Sequence, residues 1–328
     1  MVQTNSNSKQ PRKRLFWIII KILVSAAAVA YLISRIEFAH ITTELKSVNR
    51  LTLSISFLIF SGWILACPMR WRLIAQQCGY GFSLNESIRY YLIGTFFSAF
   101  LPTGKGGDIV RGVLLSRQRG YSMAGILGTV LLERFIGFLA ALIIVIVASL
   151  SVLTKFAQSM NIIISAIILV LIISVSIFIL LHPVFRKILQ TLLEKIPIVS
   201  LRNASGELLR VFEECRNHPR TIVYAVGLSV LNLLVHIVSA SFMAAAIINF
   251  HAPWYSFFVV IPLTFIAQLL PSIGGFGIRE TGYVIFFGWF GVRSEAAVIF
   301  GLLHLLFITV YSLSGAVLFL QMKWFRNS

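Results

Sequence analysis

The chain has 328 residues, of which 58% are hydrophobic, and its mean hydropathy is +0.90. These values exclude a soluble globular protein, because several apolar stretches reach the roughly 20 residues that span a hydrocarbon core. The formal net charge of +17 is concentrated in short segments between those stretches. Membrane orientation and anionic lipid headgroups explain such segments better than nucleic acid does. The composition therefore predicts an all-α polytopic membrane protein that binds no nucleic acid.

The N-terminal residues 1–14 form a basic tail that ends in Lys13 and Arg14, and an apolar stretch follows from Leu15 to Ser34. A cleaved signal peptide is the alternative interpretation, because Ala28-Val29-Ala30 resembles a cleavage site. The stretch is longer than the usual hydrophobic region of a signal peptide, which favours a retained first transmembrane helix.

Five further apolar stretches are long enough to cross a membrane. They cover Leu51 to about Met69, Met123 to Leu153, Ile162 to Leu181, Thr221 to Ile248 and Ala296 to Gln321. Two interrupted stretches lie among them, Ile88 to Arg117 and Trp254 to Phe290. We interpret each as a re-entrant hairpin of two half-helices. Two short transmembrane helices joined by a tight turn are the alternative, because apolar runs of about 10 to 14 residues are ambiguous.

The two interruptions have similar sequences, LPTGKGGDIVR from Leu101 to Arg111 and LPSIGGFGIRE from Leu270 to Glu280. Proline removes a backbone donor and glycine favours turns, so that each string should end a helix within the bilayer. The polar backbone that is freed there needs a protein-lined or watery cavity, which is typical of a transport site. The predicted break residues are Pro102, Gly106, Gly107, Pro271, Gly274, Gly275 and Gly277.

The order of the segments is span, span, hairpin, span, followed by the same order again. Within a single transmembrane domain at 15–321, repeat one covers about 15–153 and repeat two about 162–321. Three crossings per repeat are an odd number, so the second repeat should be inserted upside down relative to the first. The two hairpins would then enter from opposite faces and meet near mid-membrane.

Basic residues in the connecting segments predict the orientation. They are Arg70, Arg72 and Arg89 after the second span, seven residues in the connector at 182–220, and Lys323 and Arg326 in the tail at 322–328. Together with the basic N-terminal tail, all of these fall on one side if the hairpins re-enter the membrane. We therefore expect cytoplasmic N- and C-termini and a cytoplasmic connector, whose apolar residues suit helices on the membrane surface.

Charged residues near the breaks are candidate functional residues, because charge at membrane depth is costly and usually faces a cavity or another charge. Asp108 and Arg111 are three residues apart and so share a helix face. Glu133 and Arg134 are adjacent and should contact different neighbours, and the same holds for Arg279 and Glu280. The predicted partners are Arg111 or Arg279 for Glu133, and Asp108 or Glu280 for Arg134.

An anionic lipid headgroup is the ligand that these residues suit. Half-helix N-termini and glycine-rich backbone favour anions, and arginine binds phosphate in a bidentate manner. The headgroup candidates are Lys105, Arg111, Arg134 and Arg279. The carboxylates that would orient them, or bind the cation of a zwitterionic lipid, are Asp108, Glu133 and Glu280. Buried ion pairs without a ligand role are the alternative.

The remaining polar residues indicate no metal site and no cofactor. Cys67, Cys78 and Cys215 lack metal-binding spacing, and the histidines are dispersed. His236 and His304 lie within spans, where a hydrogen bond to a neighbouring helix is the preferred interpretation and a proton relay is the alternative.

Several of these motifs together resemble the transmembrane region of lysylphosphatidylglycerol synthases, a flippase-like family that includes stand-alone members. They are Leu101-Pro102, Gly106-Gly107-Asp108 with Arg111, Glu133-Arg134, and the string from Pro271 to Glu280. The resemblance covers about Leu15 to Gln321 and implies a lipid-translocating membrane domain. Synthase members add further helices and a soluble aminoacyl-transfer domain, whereas this chain stops at Ser328, and we do not expect the synthetic activity. We expect the cell (inner) membrane of a bacterium or archaeon.

Three functions follow as hypotheses. The first is a transporter that moves a phospholipid or a lipid-linked anionic headgroup between leaflets, downhill or coupled to an ion, because no ATP-binding motif is visible. The second is an integral-membrane transferase acting on a lipid phosphate, with Asp108, Glu133 or Glu280 as a base, although a donor site is missing. The third is a membrane partner that docks a lipid-synthesis enzyme through the connector at 182–220.

Overall fold

The computed structural model describes residues 47–100, 106–151, 199–268 and 277–322, together with residues 164 and 171. In chain order its helices are α1 (Arg50–Gln77), α2 (Leu84–Phe100), α3 (Gly106–Arg119), α4 (Met123–Ser151), α5 (Val199–Asn217), α6 (Pro219–Ala245), α7 (Ser256–Ala267), α8 (Ile278–Gly288) and α9 (Ser294–Leu320). The predicted all-helical class is confirmed for this part of the chain.

Four of these helices, α1, α4, α6 and α9, are long and apolar enough to cross a membrane. The shortest of the four apolar segments has 26 residues, which at 1.5 Å per residue gives about 39 Å, more than the ~30 Å hydrocarbon core. The predicted span at 15–34 lies outside the described residues, and so does the span at 162–181 apart from residues 164 and 171.

The shorter membrane helices occur in pairs on either side of the two predicted breaks. Helices α2 and α3 flank residues 101–105, and α7 and α8 flank residues 269–276; both stretches lie outside the described residues. The two helices of each pair pack against one another. A long helix, a packed pair of shorter helices and a second long helix therefore occur in the same order in both halves.

Helix α1 continues to Gln77 instead of ending near Met69, as the hydropathy pattern predicts. It continues through Pro68, which removes one helical hydrogen bond. The packing of its last turns explains this extension, because Trp71 is fully buried in a cluster formed with α2, α3, α4 and α5. The prediction that Arg70 lies in a connecting segment is therefore wrong. Arg70 is a residue of the helix bundle and is only 7% exposed.

The connector helix α5 is amphipathic, with Leu209, Phe212 and Cys215 buried and Arg216 exposed. Its apolar side packs mainly on α4. The position of α5 at the membrane surface stays a prediction, and its apolar side is covered by protein.

Candidate functional site

A cavity of about 500 Å³ lies between the long helices and the two pairs of shorter ones. Its volume falls within the range of about 300–1,000 Å³ that is typical of small-molecule sites. Every described helix except α5 contributes to its wall. Its charged lining residues are Arg70, Asp108, Arg111, Arg134 and Arg279. Candidate residues next to both breaks therefore line the same cavity.

Glu133 is the centre of a buried ion-pair network on the α3–α4 side of this cavity. Its two carboxylate oxygens accept hydrogen bonds from different arginines: Arg70 Nη2 lies 2.8 Å from Oε1, and Arg111 Nη2 lies 2.6 Å from Oε2. The predicted pairing of Glu133 with Arg111 is observed. Arg70 is an additional partner, which the sequence pattern does not reveal because this arginine follows the apolar run of α1.

Asp108 is also bound by two arginines. Arg134 donates through Nε and Nη2 to both carboxylate oxygens, at 2.8 and 2.7 Å, in the bidentate geometry that arginine favours. Arg111 Nη2 lies 3.1 Å from Oδ1 of Asp108. The guanidinium carbon of Arg111 is in addition 4.6 Å from the ring centroids of Trp71 and Tyr91. The predicted pairing of Arg134 with Asp108 is observed, and Arg111 is held by both carboxylates and two rings.

The network carries more positive than negative charge. Three arginines surround the two carboxylates, so that one positive charge is uncompensated among the described residues. Three nitrogen atoms of these arginines are buried and have no hydrogen-bond partner among the described residues: Arg70 Nε, Arg111 Nε and Arg111 Nη1. The adjoining segment 101–105 contains no acidic residue and adds Lys105. An anion in the cavity would complete this network.

Arg279 and Glu280 form an ion pair with each other. Arg279 Nε donates to Glu280 Oε1 at 3.0 Å, while Oε2 accepts the backbone N–H of Gly277 at 2.8 Å. The prediction that these adjacent residues contact different neighbours is therefore wrong. Both lie in the first turn of α8, where the bond to Gly277 turns the carboxylate back toward the helix start and beside the guanidinium.

Aromatic and neutral polar side chains line the α6–α9 side of the cavity. The rings of His236 and His304 have centroids 5.2 Å apart, and His236 stacks on Trp63 at 4.1 Å. His304 Nδ1 forms a hydrogen bond with Tyr283 of α8, as the preferred interpretation of this histidine predicts. Asn232 lies one helical turn before His236 on α6. His236 and His304 were singled out in the sequence as histidines within spans, and the four-residue spacing of Asn232 and His236 is a further sequence signal of this polar side.

The predicted break residues lie in different places. Gly106 and Gly107 form the first turn of α3 rather than the break itself. Gly277 precedes α8 with φ of +82°, a conformation that suits glycine. Pro102, Lys105, Pro271, Gly274 and Gly275 lie outside the described residues. Within the described ranges, no group of three or more His, Cys, Asp or Glu residues could hold a metal ion.

Residues 18–315 match the family described as the lysylphosphatidylglycerol synthase TM region. The chain belongs to this family. A UPF0104 membrane protein of Archaeoglobus fulgidus is 30% identical over 117 residues, which are 36% of this chain and 35% of that protein. The match thus spans about a third of the relative's length. Membership of the lysylphosphatidylglycerol synthase TM region family, together with the apolar helices, identifies an integral membrane protein whose cavity lies within the matched region.

Proposed function

We propose that the protein moves an anionic lipid headgroup between the two leaflets of the cell membrane and that the cavity is the headgroup site. The observation that carries this proposal is the positive charge that no described residue compensates in the network of Arg70, Arg111 and Arg134. An arginine at the centre of a membrane helix costs about 2.5–3.5 kcal/mol on the insertion scale. An anionic ligand that completes the network would lower this cost whenever it occupies the cavity.

A phosphate group is the anion that best suits these side chains, because guanidinium groups bind phosphate in a bidentate manner. The Arg134 side chain is 23% exposed and lines the cavity, and the neighbouring Arg111 has an unpartnered Nη1 among the described contacts. We assign these two arginines to the phosphate and Asp108 and Glu133 to their orientation. Lys105 and Arg279 are further headgroup candidates, with Glu280 holding Arg279.

We also propose that the two halves are inverted repeats with re-entrant hairpins. The recurring order of long helix, helix pair and long helix supports this arrangement, as does the contribution of both pairs to one cavity. The helix pair α2–α3 would enter from the cytoplasmic face and the pair α7–α8 from the opposite face. A headgroup between them could then be exposed to each face in turn. Both termini and the connector would be cytoplasmic.

Labelling with a membrane-impermeant maleimide tests this orientation. Asn217 lies just before the first residue of α6 and His251 lies after its last, and both are exposed. The helix between them has 27 residues. In intact cells we expect His251→Cys to be labelled and Asn217→Cys to be labelled only after permeabilisation. The wild-type protein is the control, because its three cysteines are buried. Labelling of both variants from one side would contradict a crossing by α6, and the reverse pattern would contradict the proposed orientation.

Transport itself can be measured in proteoliposomes that contain a fluorescent anionic phospholipid, with dithionite to bleach the outer leaflet. We expect Arg134→Gln to slow translocation about tenfold or more, because charged hydrogen bonds contribute roughly 1.5–3 kcal/mol. Arg293→Gln is the control, since the Arg293 side chain is 56% exposed and is not among the residues that line the cavity. A wild-type rate in folded Arg134→Gln would contradict the proposal. A lipid species missing from cells without the protein would indicate a transferase instead.

A further inference from the structure

We propose that Cys78 and Cys215 form an oxidation-sensitive thiol pair, which hydrogen peroxide converts into a disulfide bond between the end of α1 and the connector helix α5. The two sulfur atoms lie 3.7 Å apart, although the residues are 137 positions apart in the chain. Both thiols are free. Neither cysteine is among the residues that line the headgroup cavity, so this site goes beyond the proposed function.

The end of α1 fixes the backbone that carries the Cys78 thiol. Gly79 follows with φ of +84°, a left-handed conformation that suits glycine. The backbone N–H of Gly79 donates to the carbonyl of Gln76, and that of Tyr80 donates to the carbonyl of Ala75. These two hydrogen bonds form a Schellman motif, which ends a helix in a defined geometry. The position of the first cysteine is therefore set by the local sequence.

Side-chain contacts hold α5 against this helix end. Cys78 Sγ donates to the carbonyl of Val211 at 3.7 Å, one turn before the second cysteine. The Tyr80 hydroxyl donates to Glu207 Oε2 at 3.1 Å and accepts a hydrogen bond from Arg210 Nη2 at 3.0 Å. These contacts fix the position of α5 along the end of α1 and keep the second cysteine beside the first.

The two sulfur atoms are close enough for a disulfide bond to form after small shifts. A disulfide has an S–S length of about 2.05 Å, so that the atoms must approach by roughly 1.7 Å. Cys78 and Cys215 are each only 2% exposed, but the residues that follow them, Gly79 and Arg216, are exposed. The pair thus lies just beneath the surface. Hydrogen peroxide has two heavy atoms and reaches such a site more readily than a maleimide does.

Cys215 is the thiol that reacts first. The hydrogen bond between the two thiols lowers the pKa of Cys215 and raises the pKa of Cys78, because Cys78 keeps its proton and donates it to the Cys215 thiolate. The thiolate is the nucleophilic form of cysteine. Cys215 therefore attacks the peroxide, and Cys78 completes the disulfide.

The oxidation takes place in two balanced steps. The Cys215 thiolate attacks one oxygen of hydrogen peroxide, the O–O bond breaks, and the hydroxide that leaves takes up the proton that Cys215 released. This step gives a sulfenic acid and water. The Cys78 sulfur then attacks the Cys215 sulfur, the S–O bond breaks as the S–S bond forms, and the hydroxyl group leaves with the Cys78 proton as a second water. The two thiols lose two protons and two electrons, and the peroxide is reduced to two waters.

The proposed orientation makes this pair a reversible site. Both cysteines would lie at the cytoplasmic face, where thiols are kept reduced, and a dithiol reductant opens the disulfide by exchange. Because α5 packs mainly on α4, the disulfide adds a covalent link from α5 to a second helix, α1. Closing so long a loop restricts the unfolded chain, which should stabilise the folded protein.

Thiol counting in the full-length protein in detergent tests this inference. The folded protein is treated with hydrogen peroxide, then denatured and alkylated with a maleimide. We expect three adducts per chain before oxidation and one afterwards, because the pair consumes two of the three cysteines. Digestion should release a peptide pair that links Cys78 to Cys215 and separates in dithiothreitol. Oxidation should also raise the unfolding temperature by about 5 °C, and dithiothreitol should reverse the rise.

Serine variants attribute these changes to the pair. Cys78→Ser and Cys215→Ser should each give no linked peptide and no rise in unfolding temperature on oxidation. Cys67→Ser is the matched control and should form the link as the wild type does, because Cys67 Sγ accepts a hydrogen bond from Asn232 on α6 and takes no part in the pair. The measurement on the wild-type protein decides the question even if a variant fails to fold.

Three results would overturn the inference. The first is that all three thiols still react with the maleimide after treatment of the folded protein with peroxide. The second is a disulfide that includes Cys67 or joins two copies of the chain. The third is a disulfide between Cys78 and Cys215 in untreated cells whose thiols are trapped with acid, which would contradict a reduced resting state.

Discussion

We expect Glu133→Gln to lower the free energy of unfolding by about 3–5 kcal/mol, the range observed when one partner of a buried ion pair is removed. Glu133 is fully buried, and its two oxygens bind Arg70 and Arg111 at 2.8 and 2.6 Å. The substitution removes the carboxylate charge that compensates two buried guanidinium groups. Thermal unfolding of the purified protein in detergent measures the loss as a lower unfolding temperature.

Glu295→Gln is the matched control for this prediction. Its partner Arg293 lies at 3.5 Å and is 56% exposed, and exposed pairs contribute about 0–1 kcal/mol. Adding Arg111→Gln to Glu133→Gln should recover part of the loss, because the described network then carries one uncompensated positive charge, as in the wild type, instead of two. Additive losses in double-mutant cycles of Glu133 with both Arg70 and Arg111 would mean that the network does not couple these residues.

The charged part of the site could be predicted because charge is rare in an apolar sequence. The contacts of Glu133 with Arg111 and of Arg134 with Asp108 were both among the predicted partners and are observed. A charged residue within the membrane needs an oppositely charged partner, and apolar helices contain few such residues. The long helices were predictable for a related reason, since hydropathy over about 20 residues is a local property.

The parts that could not be predicted depend on packing between distant segments. Arg70 follows Pro68 at the end of an apolar run, a pattern typical of a helix end. Helix α1 continues beyond it, and Trp71 and Ile74 there pack against distant helices. His236 and His304 are brought together by the packing of separate helices. The pairing of Arg279 with its neighbour depends on where α8 begins, and helix boundaries are the least predictable feature of a sequence.

The close packing of α2 against its neighbours gives the second large expected effect. We expect Gly107→Ala and Gly315→Ala each to destabilise the protein by about 3 kcal/mol or more, at or beyond the upper end of the usual cost of overpacking. A methyl group on Gly107 would overlap the carbonyl oxygen of Gly94, and one on Gly315 would overlap the carbonyl oxygen of Leu92. Both obstacles are backbone atoms, which cannot rotate away, so that α2 would have to separate from α3 or from α9.

Gly62→Ala and Gly227→Ala are matched controls within spanning helices, because among the described residues no atom beyond the helix's own nearby backbone lies within 4 Å of a Cβ built at either position. Alanine favours a helix over glycine by about 1 kcal/mol, so we expect these variants to be unchanged or slightly stabilised. Size-exclusion chromatography and thermal unfolding in detergent compare all four proteins. Because Gly94 and its neighbours on α2 line the cavity, separation of α2 should also weaken lipid binding. If Gly107→Ala were as stable as Gly62→Ala, the contact between α2 and α3 that shapes the cavity would be wrong.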